Sequence, residues 1–299
     1  MSDNALKVIV HADDFGLSEK INEGILQAHL HGILTSTSIM ANGEAFEHAV
    51  ALARSTPTLD VGIHLTLIEE SPLLHPAKIP TLLESNGRFY RHAFRFGRKY
   101  FAGKINLNEV KEELETQIQK VLAAGLTLSH LDSHQHVHML PGVLKIVLAL
   151  SRKYGIPAIR LPREAVTFGK IIRVPFMRIL QALALNFFCQ MAINRIERRT
   201  DCFAGFLYGG HLNKENLLKI FKYLSCGDTC EIMCHPGLED SRSRYAHWQY
   251  HWLDELNALV NNEIRQFVRG KGIQLISYCE LGTSSSVKAQ EQEPWTNSI

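Results

Sequence analysis

Apolar positions along the chain follow two alternating rhythms: short, near-continuous runs and longer stretches with a helical period. Residues 6–12 (LKVIVHA) form such a run, as expected of a strand covered on both faces. Ser18 is placed to cap a helix reaching to about His31, with Ile21, Ile25 and Ala28 on one stripe. A strand near 34–41, a helix near 44–54 and a strand at 60–67 (DVGIHLTL) come next. After an insertion near 70–105, rich in proline, aromatic and basic residues, a helix is predicted over 108–124. It has Val110, Leu114, Ile118 and Val121 on one face, and Gly125 stops it. The rhythm then gives a strand at 127–134, a helix at 141–154 opening on Pro141, and a strand at 158–161. Beyond a second insertion near 163–203 come a helix at 214–224, a strand at 230–234, a helix at 252–269 and a strand at 273–277.

Strands alternating with helices over nearly the whole chain imply parallel strands joined by right-handed crossovers. Seven or eight such units predict an α/β fold, a distorted TIM-like (β/α) barrel. A single domain would span residues 1–282, and the polar tail 283–299 is expected to be disordered. Residues 171–193 are apolar but interrupted by Arg173, Pro175, Arg178, Gln181, Asn186 and Gln190. No uncharged run there reaches the roughly 18–20 residues of a membrane span. The segment reads as a helix packed on the barrel or forming a lid, with an interfacial helix meeting lipid as the alternative.

Composition changes this picture little. The hydrophobic share of 45%, charged share of 21% and net charge of +2 over 299 residues suit a globular enzyme and argue against a dedicated nucleic-acid binder. Six cysteines (Cys189, Cys202, Cys226, Cys230, Cys234, Cys279) form no C-x-x-C pair, so they are read as reduced thiols rather than a zinc finger. The start, MSDNALKVIVHADDFG, shows no secretory signal, and a cytoplasmic location is expected.

The oddity is histidine, 15 in all, with four in residues 128–140 (LSHLDSHQHVHML). In a parallel barrel, functional side chains gather at the C-terminal ends of the strands. Those ends carry Asp13-Asp14 followed by Phe15-Gly16, then His64, the histidine-rich stretch, and His235-Pro236-Gly237. This donor set suits one divalent metal ion, zinc or magnesium, with a position left for water. Strand alternation puts His130, Asp132 and His134 on one face, and His134, nearest the mouth, is favoured as a ligand beside His64. His136 and His138 would lie in the loop, supporting the ligands or touching substrate. Two adjacent aspartates divide naturally between holding a metal and accepting a proton from water, as metal-assisted hydrolysis requires. Arg160 and Arg163, just past a strand end, are placed to orient an aspartate or contact substrate. His29, His31, His48, His75 and His92 are read as structural.

HADDFGLS, VGIHLTL, HLDSHQHVHM and EIMCHPG, in this order, resemble the YdjC-like carbohydrate deacetylases over roughly residues 6–282. That family includes chitooligosaccharide deacetylases and a hopanoid-biosynthesis-associated branch. IRLPRE at 159–164 and DCFAGFLYGGHLN at 201–213 look closer to the latter. The resemblance implies a metal held by Asp14, His64 and His134, with Asp13 as general base and His235 as general acid. Asp132, His136, His138, Arg160 and Arg163 are the expected substrate contacts. Gln135 stands where some relatives carry another histidine. The implied substrate is an N-acetylated amino sugar, free or lipid-linked, with at most peripheral membrane contact and no nucleic acid. Two other readings compete: a non-haem Fe(II) oxygenase, which also uses two histidines and a carboxylate, and a non-catalytic metal- or sugar-binding protein.

Overall fold

The computed structural model describes residues 5–166, 174–224, 227–240 and 244–282. Among the described residues, eight strands form one all-parallel sheet. They are β1 (Lys7–Phe15), β2 (Ser36–Ile39), β3 (Asp60–Leu65), β4 (His130–Ser133), β5 (Ala158–Ile159), β6 (Cys202–Ala204), β7 (Thr229–Cys234) and β8 (Gln274–Leu275). The order is β5-β4-β3-β2-β1-β7-β6, with β8 joined to the first residues of β1. Among the described residues, the two ends of the sheet meet through a bridge between Glu164 and Phe203. The result is a curled, distorted TIM-like barrel in which β1 is the central strand.

The core follows from the apolar runs. Val8, Ile9, Val10 and Ala12 of β1 have no solvent exposure, nor have Ile39 and Ile63. Burying a side chain of this size contributes about 1.5–3 kcal/mol. Helix α1 (Glu19–His31) begins where expected, Ser18 Oγ accepting from Ile21 N, and buries the Ile21–Ile25–Ala28 stripe. It also buries Asn22, which accepts from Gly16 N (2.6 Å) and donates to the Ala45 carbonyl (3.1 Å). Asn22 therefore clamps the turn that follows the aspartate pair. Gly16 takes φ +100° there, and a Cβ would stand 3.1 Å from the Met40 carbonyl oxygen.

Around the sheet run α2 (Phe46–Ser55), α3 (Ala93–Phe101), α4 (Leu107–Ala123), α5 (Pro141–Tyr154), α6 (Phe176–Ala192), α7 (Lys214–Tyr223), α8 (Trp252–Leu259) and α9 (Asn262–Gly270). The helix expected over 252–269 is two helices. Asn261 breaks it because its side chain accepts from Glu263 N and Ile264 N, a cap that an asparagine makes more readily than a helical turn. The strand expected to reach His134 ends at Ser133, where the chain enters a 3₁₀ turn (His134–Met139) with φ +51° at Gln135 and +55° at His136. The first insertion holds α3, and the second holds α6 and the three-residue β6, too short to show a period.

Cys189, Cys230, Cys234 and Cys279 are free, but Cys202 is disulfide-bonded, so the reading of uniformly reduced thiols does not hold. Cys226, residues 171–173 of the apolar segment and the predicted disordered tail lie outside the described residues. Among the described residues, no helix is long and apolar enough to cross a membrane.

Candidate active site

Asp14 ends the regular part of β1 with φ +68°, a left-handed backbone that few non-glycine residues adopt. That twist turns its carboxylate toward two imidazoles. His64 comes from β3 and His134 from the turn after β4. Asp14 Oδ1 lies 3.1 Å from His134 Nδ1 and 3.4 Å from His64 Nε2. All three residues are buried, and one donor atom from each fits within 4.8 Å of the others. His64 Nε2 is a buried nitrogen with no hydrogen-bond partner. Ligands at about 2.0–2.1 Å around a tetrahedral ion stand roughly 3.3 Å apart, so these residues fit a divalent metal. Two other groupings share these elements, but His11 Nε2 is already paired with His130 Nε2 (2.8 Å) and Asp132 is saturated by neighbours.

Neighbouring side chains hold these three residues in place. Asp132 accepts from His64 Nδ1 (2.9 Å) and from Ser38 Oγ (3.0 Å), which turns the His64 Nε2 toward Asp14. Glu69 lies 3.2 Å from His134 Nε2 and takes hydrogen bonds from Gln135 Nε2 and Trp248 Nε1. Burial works against charge on both histidines, yet the carboxylates around them raise His64 to about 10 and His134 to about 9. Burial also opposes ionisation of Asp14, but the two histidines hold it well below the usual carboxylate range. The pocket thus favours positive charge between these three groups.

Asp13 has a different partner. Arg160, completely buried, donates to both its oxygens at 2.9 and 2.7 Å. The same guanidinium reaches Asp132 (2.7 Å) and Glu231 (2.8 and 2.7 Å). Burial pushes the Asp13 carboxyl up, but Arg160 and His64 more than offset this and hold it well below its ordinary value. His11 Nδ1 lies 2.7 Å from Arg160 Nη2 and 3.1 Å from Asp13 Oδ1, and His11 Nε2 pairs with His130 Nε2 at 2.8 Å. Burial keeps His130 neutral, with its ring stacked on Tyr278 at 3.8 Å.

His235 follows β7, which pairs with β1 in a register that sets Cys234 beside Ala12. His235 and Asp13 therefore leave neighbouring strands at the same level. The His235 backbone donates to Glu255 Oε2 (2.5 Å), its ring meets Tyr250 edge-on, and its buried Nδ1 has no hydrogen-bond partner. The loop is pressed onto α1: a Cβ on Gly24 would sit 2.4 Å from Gly237 Cα.

The remaining expected residues divide. Asp132 and Arg160 are closed inside the protein. His138 is pinned between Ser133 Oγ (2.6 Å) and the Arg160 carbonyl (3.1 Å). His136 is buried against Phe203 and Phe206 with an unpartnered Nδ1, and Arg163 is exposed. His29 and His48, read as structural, bond the Leu34 carbonyl and Asn22. Sequence reading missed His11, Glu69, Glu231, Trp248 and Glu255. Glu69 carried one usable signal, its place just past the third strand, where it takes φ +65°. Trp248 stacks on His134 at 5.2 Å, and an adjoining cleft is lined by Glu69, Arg88, Arg91, Arg244, Tyr245 and His247.

Fold and site together define a parallel α/β barrel enzyme class with a buried Asp-His-His centre and an arginine-held aspartate beside it. The family of YdjC-like proteins matches residues 7–270, and the chain belongs to it. It is 36% identical to a carbohydrate deacetylase of Brevibacillus brevis over 281 residues, covering 93% of this chain and all of the relative. It is 32% identical to a chitooligosaccharide deacetylase of Serratia marcescens, covering 92% and 98% of the two chains. A crystal structure from Enterococcus faecalis, described as a cellobiose-phosphate cleavage protein, superposes with a TM-score of 0.73 at 28% identity, over 92% of this chain and 98% of that one.

Proposed function

We propose that this protein is a metal-dependent hydrolase that removes the N-acetyl group from an amino sugar of an oligosaccharide or glycolipid. The convergence of Asp14, His64 and His134 from three strand ends, with Asp13 alongside, carries this reading. The names of the curated relatives agree with it. A divalent cation held by these three residues would polarise the amide carbonyl and acidify water. Two imidazoles favour zinc over magnesium there.

Asp13 accepts a proton from the attacking water. Arg160 makes it a weak base but keeps it an anion at a fixed angle. His235, held through its backbone by Glu255, delivers a proton to the departing amine nitrogen as acetate leaves. Asp132 orients His64, Glu69 orients His134, and His138 and Arg160 hold the frame. We assign His136 and Arg163 to substrate contact, with Trp248 and Tyr250 offering aromatic faces to the sugar ring.

The test is acetate release by the purified, metal-loaded protein from chitobiose and from an N-acetylglucosaminyl lipid, hopanoid-linked forms included. We expect release from at least one, and a drop of about 10²-fold or more in Asp13→Asn with metal retained. Full turnover in that variant would overturn the base assignment. No release from any N-acetyl sugar would overturn the deacetylase reading.

A further inference from the structure

Helix α6 is apolar on two opposite sides, and only one of them is covered. Ala182, Cys189 and Ala192 pack on the barrel. Phe176, Leu180, Leu183, Phe187 and Met191, spaced four, three, four and four residues apart, form a single stripe on the other side. They are 70, 42, 51, 63 and 52% exposed. The stripe continues onto α3, where Phe101 stacks on Phe188 of α6 with ring centroids 6.1 Å apart. Phe94, 82% exposed, shares a face of α3 with Arg98 and Phe101. Contiguous exposed apolar surface of this kind marks a site of interaction.

The two segments that carry the patch are basic in sequence. Residues 85–108 contain Arg88, Arg91, Arg95, Arg98, Lys99 and Lys104 and no carboxylate. Residues 165–196, which lead into and out of α6, contain Lys170, Arg173, Arg178 and Arg195 and again none. Two of these cations are already engaged, Arg95 with Glu84 (2.6 Å) and Arg88 with Glu70 (3.8 Å). Among the described residues, Arg91, Arg98, Lys99 and Lys104 have no carboxylate within ion-pair distance. A second copy of this chain docking symmetrically would set the same cations against themselves. An anionic bilayer satisfies both features at once, since its headgroups meet the cations while its acyl boundary takes the aromatic stripe.

We propose that the face formed by α3 and α6 docks the protein on an anionic lipid bilayer. The face borders the mouth of the site. Ala93 N, opening α3, donates to Gln135 Oε1 (3.0 Å), and Gln135 in turn bonds Glu69 beside His134. Docking would therefore bring the Asp-His-His centre to the headgroup level. The inference stands on surface chemistry and does not depend on which bond the centre cleaves.

The test is co-sedimentation of the full-length, metal-loaded protein with vesicles of phosphatidylcholine alone and of phosphatidylcholine with phosphatidylglycerol. Binding to the anionic vesicles is expected, weakening as salt rises from about 0.05 to 0.5 M. Leu183→Glu with Phe187→Glu should cut partitioning by about ten-fold or more, and Arg98→Glu with Lys99→Glu should remove the preference for anionic lipid. All four positions lie outside the site, so the circular dichroism and metal content of these variants should match the parent. Absence of binding to anionic vesicles, or binding untouched by these changes, would overturn the proposal. So would a dimer in sedimentation equilibrium that the apolar variant dissolves, since a second copy would then own the face.

Discussion

Arg160→Met removes the cation on which the inner electrostatics of the barrel turn. Methionine keeps the length and apolar contacts of the stem but leaves Asp13, Asp132 and Glu231 without the guanidinium that lies within 2.9 Å of each. Removing one partner of a buried ion pair typically costs about 3–5 kcal/mol. Three carboxylates share this partner, so that range is a floor. A ceiling follows from proton uptake: neutralising one ordinary carboxylate at neutral pH costs about 4 kcal/mol, since each pKa unit is worth about 1.36 kcal/mol. If two of the three take up protons, the loss reaches about 8 kcal/mol, comparable with the ~5–15 kcal/mol that holds a typical domain. The sign of the pH dependence distinguishes this from ordinary cavity damage. In the parent, Asp13 and Asp132 sit below their ordinary range, so their contribution is present above the unfolded pKa and is lost on acidification. In the variant the orphaned carboxyls are raised instead, so acidification relieves them. The gap between the two proteins should narrow by about 1.36 kcal/mol per pH unit for each carboxyl that protonates. Urea unfolding at three pH values between about 7 and 5, at constant metal, measures it. Arg160→Met with Glu231→Gln should recover about 1 kcal/mol or more. A loss below about 1 kcal/mol, or a gap that does not change with pH, would refute the reasoning.

Asp132→Asn should weaken metal binding about 10–100-fold, read by chelator competition, because the amide orients His64 less firmly and sets an NH₂ against Ser38 or Arg160. His138 has its pKa lowered to about 4 by burial, so the stability of its neutral form is complete above about 6.5 and drains as pH falls toward 4. His138→Gln, which can still donate to the Arg160 carbonyl, should flatten that acid limb by about 3 kcal/mol in denaturation curves, and an unchanged limb would count against the assignment. Gly24→Ala must displace the Gly237 backbone, so we expect a loss of about 1–3 kcal/mol by calorimetry. Because the displaced loop carries His235 and not the three residues proposed to hold the metal, kcat should fall while metal content holds.

Periodicity determined much of the architecture. The run at 6–12 and the stripe of Ile21, Ile25 and Ala28 each specify an element from local physics alone, because a strand buried on both faces and a helix buried on one leave different apolar spacings. The residues from which the site is built were legible for a related reason: in a parallel barrel, polar residues at strand ends converge whatever lies between them. What local pattern could not carry was the direction in which each side chain turns and what it meets. Asp14, Glu69, Gln135 and His136 take left-handed backbones, a conformation that their residue types do not announce in the sequence. Asp132, expected at the substrate, and His138, expected to support the ligands or touch substrate, are enclosed by Ser38, His64, Ser133 and the Arg160 carbonyl, all but Ser133 reaching in from other parts of the chain. Arg160 shows the difference most plainly. Its sequence position, just after a short strand, allows it to orient an aspartate or contact substrate, and only the folded barrel, which buries it and brings Asp13, Asp132 and Glu231 from three other strands, makes it their shared counter-ion.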